Sequence, residues 1–252
     1  MRELFRCIRG ELVKMRHTFL YPLHIGVPLL GSLVFLLYYK SSGWNDMAQI
    51  SGFLQIIGIA LPFAAGIVCA GNVELEEANH FQVFLGNGAH KWKAFLAKWM
   101  TLWGLSVFAI SAAVFLFALG YQFVLLKEGI FLGYYAVFVL ILSLGSGMLY
   151  LIHLFLNLMF PKQVSLCVGV AQFLLASLFL TGLGDQRWQF FPGTWSARGV
   201  SLALAFVTQR EYADVFMEEV KGVVPVCLLI MGISYAIIRI WFHYYEGRRC
   251  ND

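Results

Sequence analysis

The sequence predicts an all-α integral membrane protein. It has six transmembrane helices, an N-terminal amphipathic interfacial helix and a re-entrant outer segment before the last span. Three observations predict it. Of 252 residues, 60% are hydrophobic and 13% charged, with mean hydropathy +0.74, whereas soluble domains carry about 25% charged residues. No water-soluble fold of this length hides so much apolar surface, so the bilayer is its solvent. Second, six apolar stretches approach the length of about 20 residues that crosses roughly 30 Å of hydrocarbon. They are Phe19 to Tyr39, Ile50 to Ala70, Trp99 to Gly120, Ile130 to Leu158, Val164 to Leu183 and Val223 to Trp241. Third, the segment before the first stretch carries an apolar stripe among basic residues. No alternating strand-length pattern is present, which excludes a β-barrel.

In chain order, Met1 to Thr18 puts Leu4, Phe5, Ile8, Leu12 and Met15 on one helical face, with Arg2, Arg6, Arg9, Lys14 and Arg16 elsewhere. Such a helix lies on a membrane surface. The apolar run after it has no small-residue cleavage site and reads as a retained anchor rather than a signal peptide. In span one, His24 stands between Pro22 and Pro28. The prolines loosen the helix, and freed carbonyls or a neighbouring span are expected to satisfy the imidazole. The polar island 72–95 follows span two. In span four, Gly145-Ser146-Gly147 reads as a close-packing surface, and His153 and Asn157, one turn apart, as mutually satisfied or bonded to a neighbour. The segment Gly184 to Gly222 begins with Trp188, Phe190, Phe191 and Trp195 around Pro192, aromatics that suit a membrane interface. Its apolar run Leu202 to Val207 is too short to span, which predicts a partly inserted helix pair. The acidic stretch Glu211 to Glu219 comes next. No internal repeat or linker divides the chain, so 1–252 is one domain.

Orientation follows the excess of Lys and Arg in cytoplasmic segments. With the N-terminus inside, the five N-terminal basic residues share that side with Lys91, Lys93, Lys98, Lys162, Arg248 and Arg249, and Arg239 lies near it. Outside are Lys40, Lys127, Arg187, Arg198, Arg210 and Lys221. Six spans then put both termini in the cytoplasm. The net charge of +4 flanks the spans instead of forming one patch, which argues against nucleic acid.

Catalytic readings fail on composition and spacing. The five cysteines, Cys7, Cys69, Cys167, Cys227 and Cys250, form no metal spacing, and no disulfide is expected. Gly86-Asn87-Gly88 lacks the lysine and hydroxyl of a phosphate loop, so it reads as a turn and any ATP must be bound by another subunit. Ser146 has no histidine at matching depth in a later span. Glu76-Glu77 with His80, and His153 with Asn157, resemble elements of CAAX-type intramembrane proteases. That family also wants an arginine four residues after the glutamate pair, and position 81 is Phe81. This reading is the remote alternative.

The remaining reading of 72–95 is docking. Val73, Leu75, Ala78, Phe81, Val83, Phe84 and Leu85 give the island a periodic apolar pattern. A short helix presenting Phe81, Gln82, Phe84 and Leu85 suits a groove on a soluble partner. Three motifs carry a resemblance: "ELVKMRHTFLYPLHIGVPLLG" (11–31), "ELEEANHFQVFLGNGAHKWKAFLAKW" (74–99) and "QFFPGTWSARG" (189–199). With the six-span plan, they resemble ABC-2 type exporter permeases, more closely the permease subunits of lantibiotic immunity transporters, and the G-type more than the E-type. Gly193 and Thr194 depart from the tighter Pro-Trp pattern of the G-type.

The resemblance implies a non-catalytic membrane subunit in a bacterial cell membrane that pairs with a second permease subunit, homologous or identical. A separate cytoplasmic ATPase carries ATP and Mg; this chain binds no cofactor or metal. The segments are an interfacial helix (1–18), a cytoplasmic coupling hairpin (72–95) and an extracellular or re-entrant segment (184–222). Coupling falls to Glu74, Glu76, Glu77, His80, Phe81, Gln82, Phe84 and Leu85. The implied substrate is a lantibiotic-type antimicrobial peptide, whose expulsion gives self-immunity or resistance. Trp188, Phe190, Phe191 and Trp195, with Glu211, Asp214, Glu218 and Glu219, are candidates to meet the peptide or the lipid interface. The alternative substrate is a lipid, polysaccharide or drug.

Overall fold

The computed structural model describes residues 2–86, 91–209, 211 and 213–247. Among these residues there is no strand. Helix α1 is Arg2–Met15, α2 Leu20–Ser41, α3 Asp46–Glu77, α4 Gln82–Leu85 and α5 Lys91–Leu119, followed by a π turn Gly120–Val124. Then come α6 Leu132–Met159, α7 Lys162–Leu178, α8 Trp195–Thr208 and α9 Ala213–His243. Five of these, α2, α3, α5 with its π turn, α6 and α9, are long and apolar enough to cross a membrane.

The amphipathic α1 forms as expected and stops where Thr18 Oγ1 donates to the Met15 carbonyl at 2.8 Å. Helix α3 starts under an Asn45 cap whose side chain accepts from Ala48 N–H at 2.7 Å. Its 32 residues extend about 48 Å at about 1.5 Å each, well beyond a bilayer core. The surplus is its last turns, Asn72 to Glu77, which carry the first half of the polar island. Helix α3 is the centre of the bundle, with α6, α7 and α8 packed along it and α5 and α2 on the other side. Helices α2 and α9 are the least covered: Ile25, Val27, Leu30, Leu33, Leu228, Leu229 and Ile237 are all exposed. A continuous apolar exterior of this kind is a lipid-facing surface or an intersubunit one.

The two ends of the bundle are closed by polar contacts. At one end Tyr121 Oη lies 2.8 Å from both Asp46 Oδ1 and Gln49 Oε1, and Lys127 Nζ donates to the Tyr39 carbonyl and Gln49 Oε1 at 2.9 Å. At the other, termed the hairpin end, Lys162 pairs with Glu74 and Tyr245 Oη donates to the Leu158 carbonyl at 3.0 Å. Helix α1 and the last turns of α9 both lie at the hairpin end, since Lys98 reaches Glu11 and Lys91 reaches the Tyr245 carbonyl.

The predicted span from Val164 to Leu183 is corrected: α7 has 17 residues. Thr181 ends it by donating from Oγ1 to the Leu178 carbonyl at 2.7 Å and accepting from Leu183 N–H. Three 3-10 turns, Gly182–Gly184, Trp188–Phe190 and Pro192–Thr194, then fold the chain back until Gly193 lies against Gln172 of α7. The short run 202–207 is likewise only part of α8, which begins beside the middle of α3 and α6. The last helix starts earlier than the predicted span at Val223: α9 begins at Ala213, so Asp214, Glu218 and Glu219 lie in its first turns, where carboxylates face the positive end of the helix dipole.

Glycine makes the α8 crossing possible. A Cβ on Gly58 of α3 would come 2.6 Å from Ala197 Cα, and one on Gly145 of α6 would come 2.3 Å from Ser196 Oγ. The small residues of span four thus do what they were expected to do. Gly58→Ala should destabilise the protein by about 1–3 kcal/mol, the usual cost of overpacking. Gly104→Ala, where nothing lies within 4 Å of the new Cβ, should not. Thermal melting in detergent separates the two.

Candidate functional site

The hairpin end is built on the overhang of α3. Its C-terminus closes with Ala78 N–H donating to the Glu74 carbonyl at 3.1 Å and Phe81 N–H to the Glu76 carbonyl at 2.8 Å. His80 and Phe81 take left-handed backbone angles, φ 49° and 58°, which costs roughly 1–2 kcal/mol per non-glycine residue. Phe81 recovers that cost by burial: its ring meets Tyr245 edge-on at 6.2 Å. Helix α4 follows at once, and its Phe84 meets Phe242 at 5.6 Å. Of the turn expected at Gly86 to Gly88, Asn87 and Gly88 lie outside the described residues, as do Arg210, Arg248, Arg249 and Cys250.

Beneath this hairpin lies a network of charges. Lys98 of α5 is fully buried. Its Nζ donates to Glu11 Oε2 at 2.5 Å, Asn72 Oδ1 at 2.7 Å and Glu76 Oε1 at 2.8 Å. All three ammonium hydrogens are therefore used. Lys14 completes the set, 2.8 Å from Glu11 Oε1 and 2.7 Å from Glu76 Oε1. Two lysines balance two glutamates, so no net charge is left in the low-dielectric interior. The Phe84 ring lies 5.2 Å from Lys98 Nζ, adding a cation–π contact. Burial draws the Lys14 pKa down, but the Glu11 and Glu76 carboxylates outweigh it and leave the pKa above 10.5. One cluster thus ties together α1, the end of α3, α4 and the start of α5.

The predicted coupling residues divide sharply. Glu76 is in the network; Glu74 pairs with Lys162 at the surface, and Glu77 is half-buried. His80 and Gln82 are exposed and Leu85 half-buried. Phe81 and Phe84 are corrected: each is 1% exposed, because the end of α9 folds over them, so neither is presented to a partner. The outward apolar side chain of α4 is Val83, 58% exposed. The sequence reading missed Lys98, Glu11, Lys14 and Asn72. The available signal was a lysine inside the apolar run 94–103 and the one glutamate, Glu11, in the basic second half of α1.

The predicted outer aromatics also divide. Phe190 and Phe191 are exposed, but Trp188 and Trp195 are corrected to buried. Trp188 Nε1 donates to Glu219 Oε1 at 3.3 Å and Trp195 Nε1 to the Gln189 carbonyl at 2.9 Å. They hold the turns before α8 in place. Arg198 of α8 does similar work. Its guanidinium donates to the carbonyls of Phe179 and Leu180 beyond the end of α7 and pairs with Asp185.

His153 and Asn157 form a separate buried knot. His153 Nδ1 lies 2.9 Å from Ser165 Oγ and Nε2 3.2 Å from Gln172 Oε1, while Asn157 Nδ2 donates to the His153 carbonyl at 2.8 Å and to Ser165 Oγ at 2.7 Å. They satisfy each other and α7, as expected of polar groups inside a bundle. The carboxylate of Glu76 is engaged by lysines and not by this histidine, so the two protease-like elements stay apart. Among the described residues no group of three or more His, Cys, Asp or Glu gathers as a metal site. Among the described cysteines, Cys69, Cys167 and Cys227 are free thiols.

No protein-family profile, curated protein or solved structure matches this chain.

Two predictions test the network. Lys98→Met strips Glu11 and Glu76 of their buried partner and should cost about 3–5 kcal/mol, the usual penalty for half of a buried pair, read by denaturant unfolding in detergent. Lys14 contributes below its unfolded pKa and loses that contribution as pH rises through its higher folded value. The melting temperature of Lys14→Met should therefore lie below that of the parent at neutral pH. The gap should narrow only as the pH climbs past 10.5.

Proposed function

We propose that this chain is the membrane-embedded, non-catalytic subunit of an ABC exporter. It pairs with a second permease subunit and a separate cytoplasmic ATPase, and it expels lantibiotic-type antimicrobial peptides from the membrane. The observation that carries the reading is the hairpin end. A polar hairpin is bolted by a saturated charge network to three helices, and it offers a short outward-facing helix beyond the expected bilayer boundary. This is what a mechanical joint to a soluble motor requires: a docking surface, and a stiff connection behind it.

The topology proposed here places the hairpin end in the cytoplasm, where the basic residues Lys91, Lys93, Lys98 and Lys162 collect. The five long helices cross the membrane. The sixth crossing is made in two pieces. Helix α7 runs along α3 from Glu74 toward Ile59, the 3-10 turns fold back, and α8 continues along α3 past Gly58 and Gln55. Irregular backbone at membrane depth is sustained where protein covers it, and Arg198, Trp188 and Trp195 supply that cover. Both termini then lie inside, in a bacterial cell membrane. Docking rests on Gln82 and Val83, with Glu74 and His80 beside them, while Glu76, Phe81 and Phe84 transmit force from within.

Val83→Asp alters the exposed face of α4, at the rim of the cleft it shares with Glu11 and Lys14, and replaces no residue of the buried network. It should weaken co-purification with the ATPase roughly tenfold or more and lower resistance to the peptide, with the melting temperature unchanged. A complex and a resistance level that both survive this substitution would refute the docking assignment.

A further inference from the structure

The bundle contains a second feature that the charge network does not explain. Helices α2, α3 and α5 enclose a cavity of about 410 Å³, within the range of roughly 300–1,000 Å³ typical of small-molecule sites. Tyr150 of α6 closes one side. The mouth opens on the apolar exterior, where Val27 and Phe63 line the rim and are exposed. The walls are apolar, for example Phe53 and Ile57, and no Asp, Glu, Lys or Arg lines them.

Four polar side chains face this space, and three are occupied. Ser32 Oγ donates to the Ala113 carbonyl at 2.9 Å, and Ser106 bonds with Tyr150. The fourth is His24, only 5% exposed. Its Nδ1 lies 2.7 Å from the Leu20 carbonyl, which can only accept, so Nδ1 carries a proton. In the neutral ring Nε2 is then a bare acceptor, and it has no partner. The expectation that helix carbonyls satisfy this imidazole therefore holds for one nitrogen only. A buried acceptor without a donor costs about 1–3 kcal/mol. Water is a poor remedy, because a buried water needs two to four polar partners.

We infer that this cavity binds a neutral, largely apolar molecule from the bilayer, seated by one hydroxyl or amide N–H that donates to His24 Nε2. The absence of charge on the walls excludes an ionic headgroup. The lateral mouth means that the molecule arrives through the lipid and not from water. This site is built from residues other than those of the hairpin and does not depend on the exporter reading.

The test uses the full-length protein alone, without an ATPase, in phosphatidylcholine nanodiscs. The probe is a 16-carbon alcohol with a mid-chain diazirine, compared with its methyl ether. The alcohol should label α2 and α3 about three- to tenfold more strongly than the ether, the worth of one neutral hydrogen bond. His24→Leu should remove that preference. Gly31→Leu adds side-chain bulk to the cavity at a glycine with nothing within 4 Å of its Cβ position and should abolish labelling by both probes while the melting temperature holds. If it does not fold, Ala64→Phe serves as the filling variant. Equal labelling by alcohol and ether in the parent protein overturns the proposal, as does undiminished labelling in a folded, filled variant. Efficient disulfide cross-linking of two copies through Val27→Cys also overturns it, since the mouth would then face a second subunit.

Discussion

Lys98 cannot be buried alone. An ammonium group in a low-dielectric interior is prohibitively unfavourable unless opposite charge and hydrogen bonds surround it, and much of the hairpin end follows from meeting that demand. Asn72 and Glu76 come from one helix, one turn apart, which requires α3 to remain helical beyond the length needed to span. Glu11 comes from α1, which requires the interfacial helix to lie across the bundle end rather than free on the membrane. Lys14 brings the fourth charge, because two carboxylates facing one lysine would leave a net negative charge inside. Register along three helices is therefore specified by one cation.

Polar chemistry closes the ends because the middle cannot use the hydrophobic effect to hold helices together: lipid is as apolar as leucine. In the middle, close approach takes over. Gly58 and Gly145 admit α8, and Gly169 sits against the Pro62 carbonyl of α3; nearer the hairpin end, His153, Asn157 and Ser165 bond α6 to α7. Helix α9 has few such features, and α2 is bonded at mid-span only through Ser32 to α5; both leave an apolar flank exposed. The cavity lies on one of these flanks.

The apolar runs made the helices legible, since length and hydropathy are one-dimensional properties. So was the amphipathic α1, whose stripe is written in its own period. The break after Leu178 was not, because apolar character continues through Phe179 and Leu180 and only Thr181 and the glycines interrupt it. The burial of Phe81 and Phe84 was also hidden: the covering residues, Phe242 and Tyr245, lie at the far end of the chain. Lys98, in the sequence alone, is one more basic residue near a membrane boundary. Its partners could be recognised only once α1 and α3 were placed beside it, for Glu11 and Glu76 look like ordinary surface charges in their own segments.

Helix α1 connects the charge network to the cavity. It is fastened to Lys98 through Glu11, and to α2 through Tyr21 Oη, which donates to the Leu12 carbonyl at 3.2 Å. The turn between them is short and itself bonded at Thr18. Helix α2 forms one wall of the cavity, while α3, the other wall, is held along its length by α6, α7 and α8. His24 stands one turn into α2, so the end of the helix that α1 fastens to the charge network also presents Nε2 to the cavity. At mid-span α2 is tied to α5 by Ser32 Oγ, which donates to the Ala113 carbonyl at 2.9 Å. The charge network and the cavity therefore share one helix, whose inner face is fixed at its base by α1 and along its length by α5 while its outer flank stays apolar and exposed.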